Sequence, residues 1–256
     1  MSKLLEGKCA LVLGVANKWS LAYAIAERFS KDGARLYLTY QGERQREAVE
    51  AIGAELGACR VVPCDVSQDH ELDQLGQTLA ADPGRLDAVV HSIAFANRED
   101  LSKPFVETSR AGFALAHDVS AYSLVAVARA VAPLMSEGGS IMTLTYLGAT
   151  RVIPNYNVMG VAKAALESVT RYLANDLGPK GIRVNAISAG PVKTASARAI
   201  GGFSSILDYV AQRAPLRHNT DPAEVAGAAL FLASDLSRGV TGNILFVDSG
   251  FQIMGL

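Results

Sequence analysis

Tyr156 and Lys163 stand seven positions apart in the run Tyr156-Asn157-Val158-Met159-Gly160-Val161-Ala162-Lys163, which has helical character. At ~100° per residue the lysine returns to within roughly 20° of the tyrosine's azimuth, two turns further along, so both side chains face one way. An ammonium beside a phenol favours phenolate character and can also reach a ribose hydroxyl, and the phenol then serves as an acid or an oxyanion partner. Tyr146, in Thr145-Tyr146-Leu147-Gly148-Ala149 at the end of a strand pattern, is a second phenol ahead of the same helix. By itself the spacing is unspecific, and a packed tyrosine with a solvated lysine is its default reading. What favours chemistry is the pair's place behind a cofactor-type turn.

That turn is Gly14-Val15-Ala16-Asn17-Lys18-Trp19-Ser20-Leu21-Ala22, between a first strand and a first helix. A helix N-terminus aimed from a strand end offers free N–H groups and a positive dipole end to a pyrophosphate. Gly14 permits a tight turn, and Ser20 can cap the helix and donate to phosphate. The three-glycine dinucleotide fingerprint is missing, so a merely structural strand-to-helix turn remains open here. Further candidates stand at later strand ends: Gln41 after the second, Asp65-Val66 after the third and Ser92-Ile93-Ala94 after the fourth. Asp65 also suits a helix cap. Gln41 replaces the usual ribose-binding acid, and Arg44 and Arg46 lie just beyond it, where either could pair with a 2'-phosphate. No base sits at the strand end itself, which favours NADH.

The elements that must hold these residues are read from hydrophobic period. Strands are expected at 9–13, 35–40, 60–63, 88–91, 140–145, 183–187 and 244–247, and helices at 21–31, 43–56, 70–80, 109–134, 157–177 and 222–232. Such alternation indicates an α/β fold: a Rossmann-like, doubly wound, seven-stranded parallel sheet with helices on both faces and ligands at the carboxyl ends of the strands. No linker interrupts it, so residues 1–256 are read as one domain. The overlong connection 194–217 is expected to be a mobile substrate lid, with Gly201-Gly202 as a hinge and Phe203, Ile206 and Leu207 facing an acyl chain.

Half of the residues are hydrophobic and 19% are charged, which suits a sheet buried on both faces. A net charge of -1 carries no global basic field for nucleic acid. Cys9, Cys59 and Cys64 lack paired metal or redox spacing and are expected to be buried, reduced thiols. The four histidines show no ligand spacing, so no metal is expected. The N-terminus lacks the apolar run of a signal peptide and no later segment reads as a membrane span, so a cytoplasmic protein is expected.

Four motifs together carry a resemblance. Gly14-x5-Ser20-x-Ala22, His91-Ser92-Ile93-Ala94-Phe95-Ala96, Tyr146-x9-Tyr156-x6-Lys163 and Val184-Asn185-Ala186-Ile187-Ser188-Ala189-Gly190-Pro191 resemble the bacterial NADH-dependent enoyl-acyl-carrier-protein reductases, the divergent branch of the short-chain dehydrogenases. The likeness extends from Glu6 to Phe251. Carbonyl-reducing relatives use Tyr-x3-Lys, a position filled here by Gly160, and place a serine near Thr143.

The resemblance implies reduction of the trans-2 double bond of enoyl thioesters in fatty acid biosynthesis. Catalytic roles fall to Tyr146, Tyr156 and Lys163, with Lys163 also on the ribose. The dinucleotide would be touched by Gly14, Ser20, Leu21, Gln41, Asp65, Val66 and Ile93, and closed over by Val192, Lys193, Thr194, Ala195 and Ser196; Ala96 would meet substrate. The implied partners are an enoyl-acyl carrier protein and three further copies of the chain, since the family forms homotetramers. Two departures stand out: Ala94 where glycine is frequent, and Arg198 as the only base between Ala195 and Tyr209, a thin complement for an acidic carrier. A carbonyl reductase of the same fold and a non-catalytic NADH sensor are the competing readings, separable by turnover of enoyl thioester against ketone.

Overall fold

The computed structural model describes residues 3–194 and 202–255. Seven parallel strands lie in the order β3-β2-β1-β4-β5-β6-β7: β1 (Cys9–Leu13), β2 (Arg35–Tyr40), β3 (Arg60–Pro63), β4 (Ala88–His91), β5 (Gly139–Thr145), β6 (Ile182–Ala189) and β7 (Ile244–Val247). The order reverses direction between β1 and β4, and that switch opens a crevice beyond the carboxyl ends of the two strands. Because every pair is parallel, the chain segments leaving the strands gather on one edge.

The connecting helices are α1 (Leu21–Lys31), α2 (Glu43–Leu56), α3 (Asp69–Ala81), α4 (Arg98–Ser102), α5 (Arg110–His117), α6 (Ser123–Val131), α7 (Asn157–Leu177), α8 (Phe203–Arg213) and α9 (Pro222–Ala233). Successive strand residues point to opposite faces, so each strand feeds two cores. Val12, Leu36 and Leu38 pack with Ile25 and Phe29 of α1 and Val225 and Leu230 of α9. Leu11, Leu13, Val89 and Ile141 pack with Leu75 and Leu79 of α3, Leu124 and Val127 of α6 and Leu166 of α7. Each such fully buried side chain contributes roughly 1.5–3 kcal/mol, which is what holds the helices against the sheet. The near-continuous apolar strands are explained by burial on both faces.

Three expectations need correction. The helix expected over 109–134 is a continuous run, Arg110–Leu134, but not one α-helix: α5 and α6 are joined by a π-turn, Asp118–Tyr122, and a 3-10 turn, Ala132–Leu134, closes it. The run is long and apolar enough to cross a bilayer, yet Leu124, Val127 and Val131 bury its apolar side in the core. Cys59 is exposed, because it precedes the edge strand β3, whereas Cys9 and Cys64 are buried. The third correction is α4, a short helix after β4 that has too few residues to display a hydrophobic period. In the expected lid, residues 195–201 lie outside the described residues. The rest of that segment includes the regular helix α8, with Leu207 and Val210 buried.

Candidate active site

The phosphate turn is built by Asn17 and Ser20. Asn17 accepts the Trp19 amide on its side chain at 2.9 Å and the Ser20 amide on its carbonyl at 3.1 Å. Ser20 has extended backbone, donates its hydroxyl to the Asn17 carbonyl at 2.7 Å and accepts the Tyr23 amide at 3.2 Å, so it is the N-cap of α1. The amides of Leu21 and Ala22 precede the first intrahelical bond and point out of the helix end. Gly14 has φ of +92°, and a Cβ there would lie 2.0 Å from the Ser92 carbonyl oxygen. The turn therefore lies directly on the β4 loop, and only glycine allows that approach.

On the far side of the switch, the Gln41 amide donates to Asp65 at 2.9 Å, joining the ends of β2 and β3. Asp65 also accepts the Ser67 amide at 2.9 Å and the Ser67 hydroxyl at 2.7 Å. These bonds outweigh its partial burial and hold its carboxyl below the usual range. Asp65 is not the cap of α3, whose N-cap is Gln68, so the competing cap role does not claim it. Arg46 is engaged by Glu43 at 3.5 Å and Glu50 at 2.8 Å on its own helix.

The loop after β4 carries Ile93 and Ala96, and the π-turn holds it. Ser120, fully buried, accepts the Phe95 amide at 2.9 Å and donates to the Phe95 carbonyl at 3.0 Å. Ser123 donates to the Val119 carbonyl at 2.7 Å, so its oxygen accepts the hydrogen bond from His91 Nε2–H at 2.8 Å. His91 then offers Nδ1 to the Thr143 hydroxyl at 3.0 Å. Burial, aided by the Lys163 charge, pushes His91 down to about 3, so the ring is neutral. Thr143 is thus committed beneath the site and does not line it. π-turns are frequent at functional sites, and here Ser120 of the π-turn bonds the loop while Ser123, just after it, bonds the last residue of β4.

Tyr156 immediately precedes α7, and Lys163 lies two turns inside it. Both are buried, with Tyr156 8% and Lys163 6% exposed. The Tyr146 and Tyr156 rings meet edge to face with centroids 5.1 Å apart. Around them lie Leu101, Val158 and Met159, with Ala96 and Ile153 packed alongside, so Ala96 belongs to the same apolar cluster as both phenols. Burial pushes Tyr146 up to about 12 and moves Tyr156 further in the same direction, with Tyr146 adding to the effect. Lys163 donates to the Leu144 carbonyl at 2.7 Å and is lowered to about 8 by burial, against the pull of Glu167.

The expectation that Lys163 draws Tyr156 toward phenolate is therefore not met: the ammonium turns to the strand, and Tyr156 is a neutral donor. Gly160 explains the long spacing, because a Cβ there would come within 2.8 Å of the Gly148 carbonyl oxygen. A Tyr-x3-Lys arrangement has no room in this chain.

Gly14, Ser20, Leu21, Gln41, Asp65, Val66, Ile93, Tyr146, Val192, Lys193 and Thr194 all leave carboxyl ends of strands or the turn above them, and Tyr156 and Lys163 join them from α7. Val192 is buried and Lys193 exposed, and the Thr194 amide donates to the Val192 carbonyl at 2.8 Å. Ala195 and Ser196 fall outside the described residues. Sequence reasoning missed Ser120, Ser123 and Glu167, which reach the site through the fold. The only local sign was a pair of serines and an acid among otherwise apolar helix positions.

Comparison with known proteins agrees with this geometry. A family profile described as Enoyl-(Acyl carrier protein) reductase matches residues 14–252. The chain is 53% identical over 255 residues to the NADH-type enoyl-acyl-carrier-protein reductase FabI of Bacillus cereus, covering 99% of this chain and 100% of that one. It is 50% identical over 250 residues to the NADPH-type FabI of Staphylococcus aureus strain MRSA252, covering 97% and 98%. The crystal structure of the Bacillus cereus enoyl-acyl carrier protein reductase with NADP+ and indole naphthyridinone superposes with a TM-score of 0.98 at 54% identity, covering 99% of this chain and 100% of that one. With a profile match over most of its length and relatives above half identity, the chain belongs to the enoyl-(acyl carrier protein) reductase family.

Proposed function

We propose that this chain reduces the trans-2 double bond of enoyl thioesters on acyl carrier protein in fatty acid biosynthesis, with Tyr156 and Lys163 as its working pair. The observation that carries the assignment of roles is the division between the two buried side chains: Tyr156 is held neutral beside Tyr146 and Ala96, while Lys163 is anchored to Leu144. A nicotinamide dinucleotide, when bound, supplies the hydride delivered to the β-carbon. Gly14, Ser20 and Leu21 would hold its pyrophosphate, Gln41 and Asp65 its adenosine end, Ile93 its nicotinamide side, and Val192 to Ser196 would close over it. The fit rests on the Gly14 cradle, which a Cβ would fill, and on the two outward amides of α1.

As the β-carbon is reduced, negative charge gathers on the thioester oxygen. A neutral phenol keeps its proton and donates a hydrogen bond to that oxygen, which is the form that burial enforces on Tyr156. Lys163 keeps N–H groups beyond the one given to Leu144, and these would hold ribose hydroxyls. Tyr146 excludes water from one edge of the Tyr156 ring. NADH is preferred over NADPH in this reading, because Gln41 is neutral and Arg46 is occupied by Glu43 and Glu50.

The carrier's acidic surface would meet the rim bases Lys193, Arg213 and Arg217. Arg213 lies 5.4 Å from the Tyr209 ring centre and Arg217 donates to the Gln212 carbonyl, so both are pre-positioned. A homotetramer in the cytoplasm completes the reading, supported by the exposed Phe113, Tyr122 and Tyr172 along α5, the π-turn and α7. Residues 1–256 act as one domain with a lid about 194–217. The test is NADH oxidation with enoyl-acyl carrier protein, crotonyl-CoA and a simple ketone in parallel; turnover of the ketone alone would overturn the assignment.

A further inference from the structure

Glu167 is a buried acid that the mechanism above does not use. It lies four positions after Lys163 on α7, is 7% exposed, and accepts the Thr145 hydroxyl at 2.8 Å. Four residues along a helix place two side chains on one face, one above the other. The same strand end binds both: the Leu144 carbonyl takes the Lys163 ammonium and the adjacent Thr145 hydroxyl bonds Glu167. A buried carboxylate and a buried ammonium are each costly alone, and each lowers the cost of the other.

We infer that Glu167 is a positioning residue for the reduction, the fixed counter-charge that keeps Lys163 an ammonium in the absence of water. The inference rests on Lys163 being the ribose-holding group proposed above. Burial acts to discharge Lys163, and among the described residues Glu167 is the one charge that opposes it. Among the other titratable groups packed around α7, His91 on β4 faces Lys163 but is neutral, and Tyr146 and Tyr156 are neutral phenols. Asp100 of α4, Asp118 of the π-turn and Arg183 of β6 exert no resolved pull on Lys163. Glu167 is itself pushed up by burial and drawn back by Thr145, Arg171 and Lys163. Thr145 and Arg171 thus help keep the counter-charge ionised.

Glu167→Gln separates charge from shape, because the amide oxygen still accepts from Thr145. Removing one buried counter-charge should move Lys163 down by about one pH unit. The alkaline limb of NADH affinity and of kcat/KM should shift down accordingly, with NADH binding about fivefold weaker near pH 8, approaching tenfold near pH 9, and within about twofold of wild type near pH 6. Lys163→Arg keeps its charge at every such pH, so adding Glu167→Gln to it should move no limb. Glu167→Met, neutral and of similar length, is read in the same way should the glutamine variant fail to fold. A limb that stays in place in a folded neutral variant overturns the counter-charge role. Wild-type enzyme that does not oxidise NADH with crotonyl-CoA overturns the parent reading instead.

Discussion

Replacing Tyr156 with phenylalanine removes a single hydroxyl from a ring that is otherwise fixed by packing. The ring is 8% exposed and keeps its contacts with Tyr146, Val158 and Met159 in the variant. Among the described residues no carbonyl or side chain pairs with that hydroxyl, and burial alone, with Tyr146, accounts for its raised pKa. That hydroxyl is not among the buried unpaired polar atoms of the described residues, so water reaches it in the apo protein and Tyr156→Phe should change apo stability by less than about 1 kcal/mol. The same hydroxyl is assigned the growing charge on the thioester oxygen, and loss of one such donor costs about 2.7–4 kcal/mol of barrier, or ~10²–10³ in kcat. NADH affinity should change by less than about twofold, since the ribose is assigned to Lys163. Thermal melts of the apo protein, NADH fluorescence titration and steady-state turnover with crotonyl-CoA measure the three quantities. A fall in kcat smaller than about tenfold would refute the oxyanion role. A clear drop in Tm would instead show that the hydroxyl serves the fold.

Lys163→Ala should weaken NADH binding as well as turnover, and a profile matching that of Tyr156→Phe would remove the division of roles. Lys163 has a folded pKa lowered to about 8 from 10.5, so the folded state sheds its proton first and apo stability should rise as pH climbs through that window. The stability advantage of Lys163→Met over wild type should therefore shrink from pH 8 to 10.5, and a constant gap in Tm would contradict the burial argument. Gly14→Ala places a Cβ 2.0 Å from the Ser92 carbonyl at φ of +92°, so NADH affinity should collapse while the protein still folds; unchanged binding would show that the turn does not hold the cofactor. NADPH should give a lower kcat/KM than NADH, and parity that disappears in Arg44→Ala would show that this arginine reaches the 2'-phosphate. In a salt series with enoyl-acyl carrier protein, Arg213→Ala and Arg217→Ala should flatten the salt dependence of kcat/KM, whereas a loss confined to Arg198→Ala would move docking off the rim.

Much of this molecule is legible without coordinates. The bounds of β1, β2, β3, β4 and β7, and of α1, α2 and α7, can be read from apolar runs and helical period, because these patterns are local and the parallel sheet leaves only one topology class open. The spacing of Tyr156 and Lys163 predicts a shared face, but Tyr156 lies just outside α7 and Asn157 has φ of +38°, so the helical azimuth does not extend back to the phenol. Spacing could not provide the direction in which Lys163 donates, and the phenolate expectation failed because the nearest acceptor is the Leu144 carbonyl, nineteen residues away on β5. The π-turn was invisible because its sequence, Asp118–Tyr122, has ordinary helical character, and the bond it makes through Ser120 reaches Phe95, twenty-five residues distant. His91, Thr143 and Ser123 form a chain across β4, β5 and α6 that no window of sequence contains. Sequence alone determined which faces are buried and which side chains share a helix stripe, since those depend on neighbours in the chain. Charge state and hydrogen-bond partner were decided only by the tertiary structure, because desolvation and acceptors come from segments that meet only when the sheet has closed.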